Sequence, residues 1–335
     1  MRISVVDVGS NTVRLVVADT AGGVPLPVHT AKWRLRLSDD VKPGEPVPAE
    51  AVERLVGAVT EASRTATRWG AAGPVAFATA VVRSAPNRQD VLDTVRERTG
   101  VDLCTLPGEV EAELTFLAAR RWMGWRSGPL ALLDIGGGSL ELAFGRGRLP
   151  DFAVSLPLGA SRLTHEFFAH HDPPTTEQLR ALRRKVRHQL RDAAARIRWE
   201  GPRLAVATSR TFQQLGRLCG APPGRHGPFV ERQLHRADLG TAIGRLAALP
   251  AAERALLPGI SAPRSGQSLA GALVGHTAMK LVGIESVTIC PWAIREGIML
   301  RHIEDGASWW AEISRRDEEP ATPEPVPLRI AAPTG

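Results

Sequence analysis

Two stretches of the chain share one pattern of hydrophobic and polar positions. Ile3–Val17 (ISVVDVGSNTVRLVV) and Leu130–Phe144 (LALLDIGGGSLELAF) each run apolar, break at a short turn holding an acid and glycine, and run apolar again. Aliphatic runs on both sides of a turn predict strand–turn–strand hairpins. The spacing of Asp7, Gly9 and Ser10 returns in Asp134, Gly136 and Gly137, which points to an internal duplication. Glycine lacks a Cβ, so both turns can bring successive N–H groups close to an anion, as phosphate-cradling loops do. Two such turns in two halves of a chain suit a cleft that holds a phosphate chain between them.

Between and beyond these hairpins the period alternates. After a loop rich in Gly and Pro, Ala49–Arg68 places Val52, Leu55, Val56, Val59 and Ala62 at helical spacing, predicting a helix that packs on a sheet. Pro74–Val82 reads as a buried strand leading into Arg83, Ser84 and Asn87, Gln89–Arg98 as a short helix, and Val101–Leu106 as a strand ending at Pro107-Gly108. The next helix, Glu109–Arg121, buries Val110, Leu114 and Leu117. Glu111 and Glu113 flank that stripe at about equal angles on opposite sides, so periodicity does not say which of them faces a cleft. Trp122–Pro129 breaks the pattern and marks a boundary between halves.

In the second half, Phe152–Leu156 predicts a strand and Leu158-Gly159-Ala160 a tight turn into a helix. Thr175 and Gln178 have capping-box spacing at the head of a long helix with Leu179, Leu182, Val186, Leu190 and Ile197 as its stripe. Its other face is basic, with Arg180, Arg183, Arg184, Lys185, Arg187 and Arg191. Arg203–Ala207 is a strand entering the polar turn Thr208-Ser209-Arg210-Thr211, whose hydroxyls suit phosphate oxygens as well as helix capping. Gly220–Pro228 reads as a loop, and Leu239–Leu249, Ala251–Leu256 and Ser268–Leu281 as helices. Val287–Cys290 is a last strand, with Pro291 placed to start a helix over Ala293–Arg301. From Arg315 onward, prolines and scattered charges predict disorder. Strands alternating with helices in both halves predict an α/β architecture with mixed sheets.

Composition narrows the classes. At 335 residues two domains are the better expectation, and 43% apolar with 23% charged residues is ordinary for a soluble globular protein. No window approaches a membrane-spanning length and the N-terminus lacks a secretory h-region, which predicts a cytoplasmic protein without membrane partners. Cys104, Cys219 and Cys290 lie far apart, arguing against a disulfide framework or a zinc cluster. A net charge of +7 favours an anionic partner, whether nucleic acid, acidic lipid or a polyanionic substrate. Walker A, GxSxG and HExxH patterns are missing, so their chemistries lose ground.

Taken in order, several short motifs resemble those of the exopolyphosphatase and guanosine pentaphosphate phosphohydrolase (Ppx/GppA) family, within the actin, sugar-kinase and Hsp70-like ATPase superfamily. They are DVGSNTVRL at Asp7–Leu15, ATAVVR at Ala78–Arg83 with Asn87, GEVEA at Gly108–Ala112, Asp134–Leu142, Thr208–Thr211 and PWAIREG at Pro291–Gly297. Each is weak alone, but together they run in family order to about Arg301. The KWRLRL and ICPWAIREG segments look most like the short exopolyphosphatases of actinobacteria.

The resemblance implies two actin-like (RNase H-like) domains, 1–124 and 125–292, with an interdomain cleft, a C-terminal helix at about 293–312 packing back on the first, and a disordered tail over 315–335. It implies Glu111 as general base, breaking the tie with Glu113, and Asp134 and Glu141 as the acids of a divalent metal, usually Mg²⁺. Gly9, Ser10, Asn11, Gly136, Gly137, Gly138 and Ser139 match phosphate-holding positions, joined by Thr208, Ser209 and Arg210 in the polar turn. Arg83 and Arg14 match a role in holding the phosphate chain. The implied reaction is removal of terminal orthophosphate from inorganic polyphosphate rather than recognition of nucleic acid. Hydrolysis of pppGpp, non-catalytic binding of polyphosphate or (p)ppGpp, and an ATP-using kinase or ATPase are the alternatives, and a homodimer is implied as well. Arg210 stands where members commonly carry glycine, and Arg264-Ser265-Gly266 where they carry Arg-Ala-Asp. Arg210 adds a phosphate contact or crowds a nucleotide base, which leans toward polyphosphate.

Overall fold

The two stretches that read alike in sequence fold alike. In the computed structural model, which describes residues 2–41, 44–124 and 127–318, the first forms β1 (Arg2–Val8) and β2 (Thr12–Asp19). β3 (Leu26–Arg34), α1 (Leu37–Asp40), α2 (Ala49–Arg68), β4 (Val75–Ala78), α3 (Ala80–Arg83), α4 (Arg88–Thr99), β5 (Leu103–Thr105) and α5 (Gly108–Met123) complete the first half. The second opens on the hairpin of β6 (Leu130–Ile135) and β7 (Leu140–Gly145), followed by β8 (Phe152–Leu156), α6 (Ala160–Phe168), α7 (Thr176–Glu200), β9 (Leu204–Thr208) and α8 (Ser209–Leu218). It continues with β10 (Gln233–His235), α9 (Arg236–Ala248), α10 (Ala251–Arg254), α11 (Ser265–Val282), β11 (Ser286–Ile289), α12 (Ile294–Asp305) and α13 (Ser308–Glu318).

One sheet runs β3-β2-β1-β4-β5 and the other β8-β7-β6-β9-β11-β10. In both, the hairpin and its outer strand pair antiparallel, while the two strands on the far side of the first hairpin strand pair parallel. The duplication read from two turns therefore extends to the topology of five strands per sheet. Each sheet buries its own core: Val6, Leu15 and Val59 among others in the first, Leu133, Leu142, Val186 and Leu273 in the second. The predicted stripe of α2 is buried throughout. The predicted capping box heads α7, Gln178 N–H donating to Thr175 Oγ1 at 3.2 Å and Thr175 N–H to Gln178 Oε1 at 2.8 Å, a cap of about 1 kcal/mol. α5 lies between the sheets, sending Leu114 into the core with α12 and Phe116 into the core with β6 and β9.

Several expectations are corrected. The strand expected to reach Val82 stops at Ala78: Thr79 N–H makes one more bond to Val8 O at 3.1 Å, and then Val82 and Arg83 N–H turn back to Thr79 O, both at 3.1 Å. That helical turn carries Arg83 inward. β3 was read as loop because its residues are exposed or half-buried and show no apolar run, yet its backbone completes the ladder of β2. Pro291 does not start a helix, since α12 begins at Ile294 with Ala293 N–H donating to Glu296 Oε2 at 2.8 Å. The single helix expected near 293–312 is two, α12 and α13, and both pack against the first sheet's side of the molecule. α13 reaches Glu318, so disorder does not hold over 315–318, while 319–335 lie outside the described residues.

Candidate active site

The two hairpin turns meet. Gly9 N–H donates to Thr12 O at 3.0 Å and, in the matching turn, Gly136 N–H donates to Ser139 O at 2.9 Å. A Cβ on Gly137 would stand 2.6 Å from Ser10 Oγ, a contact that only glycine permits, so the first turn rests directly on the second. Carbonyls of the second turn are taken up from behind: Ala160 N–H reaches Gly136 O at 3.0 Å and Ser161 N–H reaches Gly137 O at 2.9 Å, both from the start of α6. Capping the carbonyls this way turns that side of the loop to the protein and leaves the other side to the cleft.

Glu111 and Glu113, which periodicity could not separate, part company here. Glu113 is half-buried and pairs with Arg301 of α12. Glu111 is 7% exposed and pairs with Arg83, whose guanidinium also donates to Leu106 O. Pro107 and Gly108 make this geometry possible: Glu111 N–H closes the first turn of α5 on Pro107 O at 3.0 Å, and a Cβ on Gly108 would stand 2.2 Å from the Ser155 Cβ of β8. The helix start is thus pressed against the strand that neighbours Glu141.

Four buried acids share one electrostatic field. Burial pushes Glu111 up to about 7, against the pull of Arg83 and with reinforcement from Asp7 and Asp134. Burial likewise raises Asp134 to about 6, opposed by the Thr208 and Ser209 hydroxyls. Glu141 is driven well above the carboxylate range by burial, then by Glu111 and Asp134, despite hydroxyls at Ser139 and Ser155. Ser155 Oγ donates to Glu141 Oε1 at 2.9 Å. Asp7 is also raised by burial, with Arg295 and Arg14 pulling down.

The donor set fits a magnesium-like cation in a limited way. Asp134 and Glu141 are direct partners across β6 and β7, which places two buried, mutually repelling carboxylates side by side. Among the described residues no group of three or more His, Cys, Asp or Glu could hold a metal ion unaided. Mg²⁺ ordinarily takes one or two carboxylates and completes its shell with water and phosphate oxygens, which matches two acids beside an anion cradle.

Of the other expected residues, Gly9, Ser10, Asn11, Gly138 and Ser139 lie on the two meeting turns. Thr208 ends β9 as the ladder partner of Asp134, and Ser209 starts α8 at φ 77°, a strained conformation for a non-glycine residue beside a site. Arg210 is exposed and donates to Gln213 Oε1 at 3.3 Å. Arg14 sits on β2 opposite Asp7. Arg83 engages Glu111 rather than standing free in the cleft. Sequence reasoning passed over Asp7 as an electrostatic member, Ser155, and Arg295, whose Nη1 lies 3.8 Å from Asp7 Oδ2 and whose Nε is buried without a partner. Arg295 stood inside the PWAIREG motif, and that was its only signal.

Two duplicated α/β domains with an anion cradle and buried acids between them define a two-domain actin-like phosphoryl-handling fold. Residues 15–305 match the Ppx/GppA phosphatase family, and the chain belongs to that family. It is 79% identical over 333 residues to an uncharacterised protein of Streptomyces coelicolor, covering 99% of both chains. It is 44% identical over 315 residues to Exopolyphosphatase 1 of Mycobacterium tuberculosis, covering 93% of this chain and 91% of that one. The fold matches the crystal structure of an exopolyphosphatase from Cytophaga hutchinsonii with a TM-score of 0.83 at 21% identity, covering 92% and 99% of the two chains.

Proposed function

We propose that this protein is an exopolyphosphatase that releases orthophosphate from the end of inorganic polyphosphate, with Glu111 as general base. The observation that carries the mechanism is the buried Glu111 carboxylate, raised to about 7 and held by Arg83 between the two loops. A base of that strength is half-ionised near neutrality and takes a proton from water more readily than an ordinary carboxylate. Water oxygen attacks the terminal phosphorus, Glu111 accepts its proton, and the bridging P–O bond breaks so that the shortened chain leaves with its electron pair. N–H groups of the Gly9–Asn11 and Gly136–Ser139 turns hold the non-bridging oxygens, and Thr208, Ser209 and Arg210 border the same cleft. Arg83 moves its charge from Glu111 to phosphate when substrate arrives, freeing the base. Mg²⁺ held by Asp134 and Glu141 would neutralise charge on the phosphate oxygens.

We divide the chain into residues 1–124 with the returning helices α12 and α13, and 125–292, the cleft lying between. Three free cysteines suit a reducing compartment, and we place the enzyme in the cytoplasm; no helix among the described residues is long and apolar enough to cross a membrane. We carry a homodimer as the family's expectation.

One observation favours pppGpp as a second substrate. Beside Arg210 lies a cavity of about 450 Å³ lined by Gln213, Pro222, Pro223, Pro228 and Ile289, suited to a flat heterocycle. Its loop wall is fixed by Arg232, which donates to Pro222 O, Pro223 O, Gly227 O and Val230 O at 2.7–3.0 Å. Orthophosphate release by the purified protein with Mg²⁺ from short polyphosphate, long polyphosphate, pppGpp and ATP in parallel decides between them. Release from polyphosphate is expected; turnover of nucleotides alone would overturn the main reading.

A further inference from the structure

A second cavity, of about 580 Å³, opens beside the first turn, and its lining is unusual in charge: Arg14, Lys32, Arg34, Arg36, Arg210 and Arg264, with no acid among its lining residues. The cations come from three separate segments. Lys32 and Arg34 stand two residues apart on β3, hence on one face of it, and Arg36 follows two residues on. Arg210 comes from the head of α8, and Arg264 from the 3-10 turn Ala262–Arg264 before α11.

The sheet register makes the arrangement costly unless an anion is present. Arg14 is the direct partner of Lys32 across β2 and β3, and like charges directly opposite each other on a ladder destabilise it. Burial together with the charges of Arg14 and Arg210 lowers Arg264 to about 10. Gly266 stands where the family pattern carries an acid, so the turn supplies no carboxylate of its own. The end of the basic strand is also tied to the phosphate turn, because Leu35 and Arg36 N–H both donate to Asn11 O, at 3.0 and 3.1 Å. A row of groups therefore runs across the first sheet from buried Asp7 through Arg14 to Lys32 at the sheet edge.

We infer that this cavity is a subsite for the phosphate units beyond the scissile bond, so that a linear oligophosphate chain enters over the edge strand and reaches Glu111 with its terminal unit. The inference rests on the exopolyphosphatase reading and adds a direction and a length dependence to it. A substrate too short to reach Lys32 and Arg264 gains nothing from them, while each unit laid in the cavity gains charge-assisted contacts.

The test compares wild type with Lys32→Gln, Arg34→Gln and Arg264→Gln, plus Arg64→Gln on the solvent face of α2 as a charge control, on tripolyphosphate and on long polyphosphate with Mg²⁺. Expected is a KM for long polyphosphate raised roughly tenfold per cavity variant, kcat within about twofold, little change on tripolyphosphate, and no effect of Arg64→Gln. The dependence of KM on salt should also flatten as each cation is removed, as for other polyanion binders. Wild-type KM on long chains in all three cavity variants would overturn the subsite while leaving the activity standing. An equal loss on both substrates would overturn it too, since the residues would then serve the reacting end or the fold, and thermal melting separates those two. Absence of orthophosphate release from either substrate by wild type sinks the exopolyphosphatase reading first.

Discussion

Matching positions of the duplicated hairpins carry opposite charge. Across the first sheet Asp7 faces Arg14, which faces Lys32; across the second Asp134 faces Glu141, which faces Ser155. Both rows start from a buried acid at the end of the first hairpin strand. From there one row turns cationic toward the sheet edge and the other doubles its negative charge. A single fold unit copied twice thus offers one surface that attracts a polyanion and one that attracts a cation. Phosphoryl transfer needs both, and the comparison teaches that duplication alone supplied the frame while one ladder position divided the labour.

Glu111 belongs to neither row and is held against both, so its removal tests where the rows converge. Glu111→Gln keeps the shape and removes the base; turnover of polyphosphate is expected to fall by roughly 10²–10⁴, the usual worth of a positioned base. Calorimetric titration with polyphosphate should still show binding. Turnover unchanged in that variant would remove Glu111 from the mechanism, while loss of both turnover and binding would make it a structural residue.

A paired substitution sharpens the contrast between the rows. Glu141→Gln should lower kcat roughly a hundredfold and weaken the apparent affinity for Mg²⁺. Arg14→Gln should instead raise KM roughly tenfold with the Mg²⁺ requirement unaltered. Steady-state titrations of metal and substrate read the two effects separately. If both variants moved the metal dependence alike, the division of labour would be wrong.

Stability against pH gives a smaller but independent readout. Unfolded carboxylates lose their protons near about pH 4, whereas Asp134 is raised to about 6 and Glu111 to about 7 in the fold. Between those values the folded state holds protons that the unfolded state has lost, so stability falls as pH rises through the window from about 4 to about 7. The melting temperature without metal should therefore decline over that range, and Mg²⁺ should restore part of the loss by binding the folded state. Glu141→Gln should reduce the decline, because it removes a neighbour that raises Glu111's environment and is itself raised by burial. A melting temperature independent of pH in the absence of metal would count against a crowded acid cluster.

How much of this was legible in the sequence depends on distance along the chain. The hairpins, the α2 stripe and the α7 capping box rest on neighbours a few residues apart, and local pattern found them. The end of β4 escaped because Ala80–Val82 is as apolar as a strand, and only the return of N–H groups to Thr79 O shows the helical turn. β3 escaped because an exposed edge strand has no hydrophobic signature. At the site, Glu111 was named by motif rather than by periodicity, and its burial beside Arg83 brings together residues from α3 and α5. The Asp7–Arg14–Lys32 row needed the register of three strands, which no local pattern carries.

Ser155 gives the smallest and most local test of the acidic row. Its hydroxyl donates to Glu141 Oε1 at 2.9 Å, and such a bond favours the ionised carboxylate. In the cationic row the same ladder position holds Lys32, a full charge at the sheet edge; here a neutral hydroxyl only tempers the acid it faces. Ser155→Ala should leave Glu141 more reluctant to ionise, weakening the apparent affinity for Mg²⁺ by a few-fold, in line with a bond of about 1 kcal/mol. Since the cavity cations are untouched, the KM for long polyphosphate at saturating Mg²⁺ should not move. Raising the pH should recover most of the lost affinity, because ionisation of Glu141 then no longer depends on the bond. An affinity deficit of the same size at every pH would show that Ser155 orients the carboxylate rather than easing its charge.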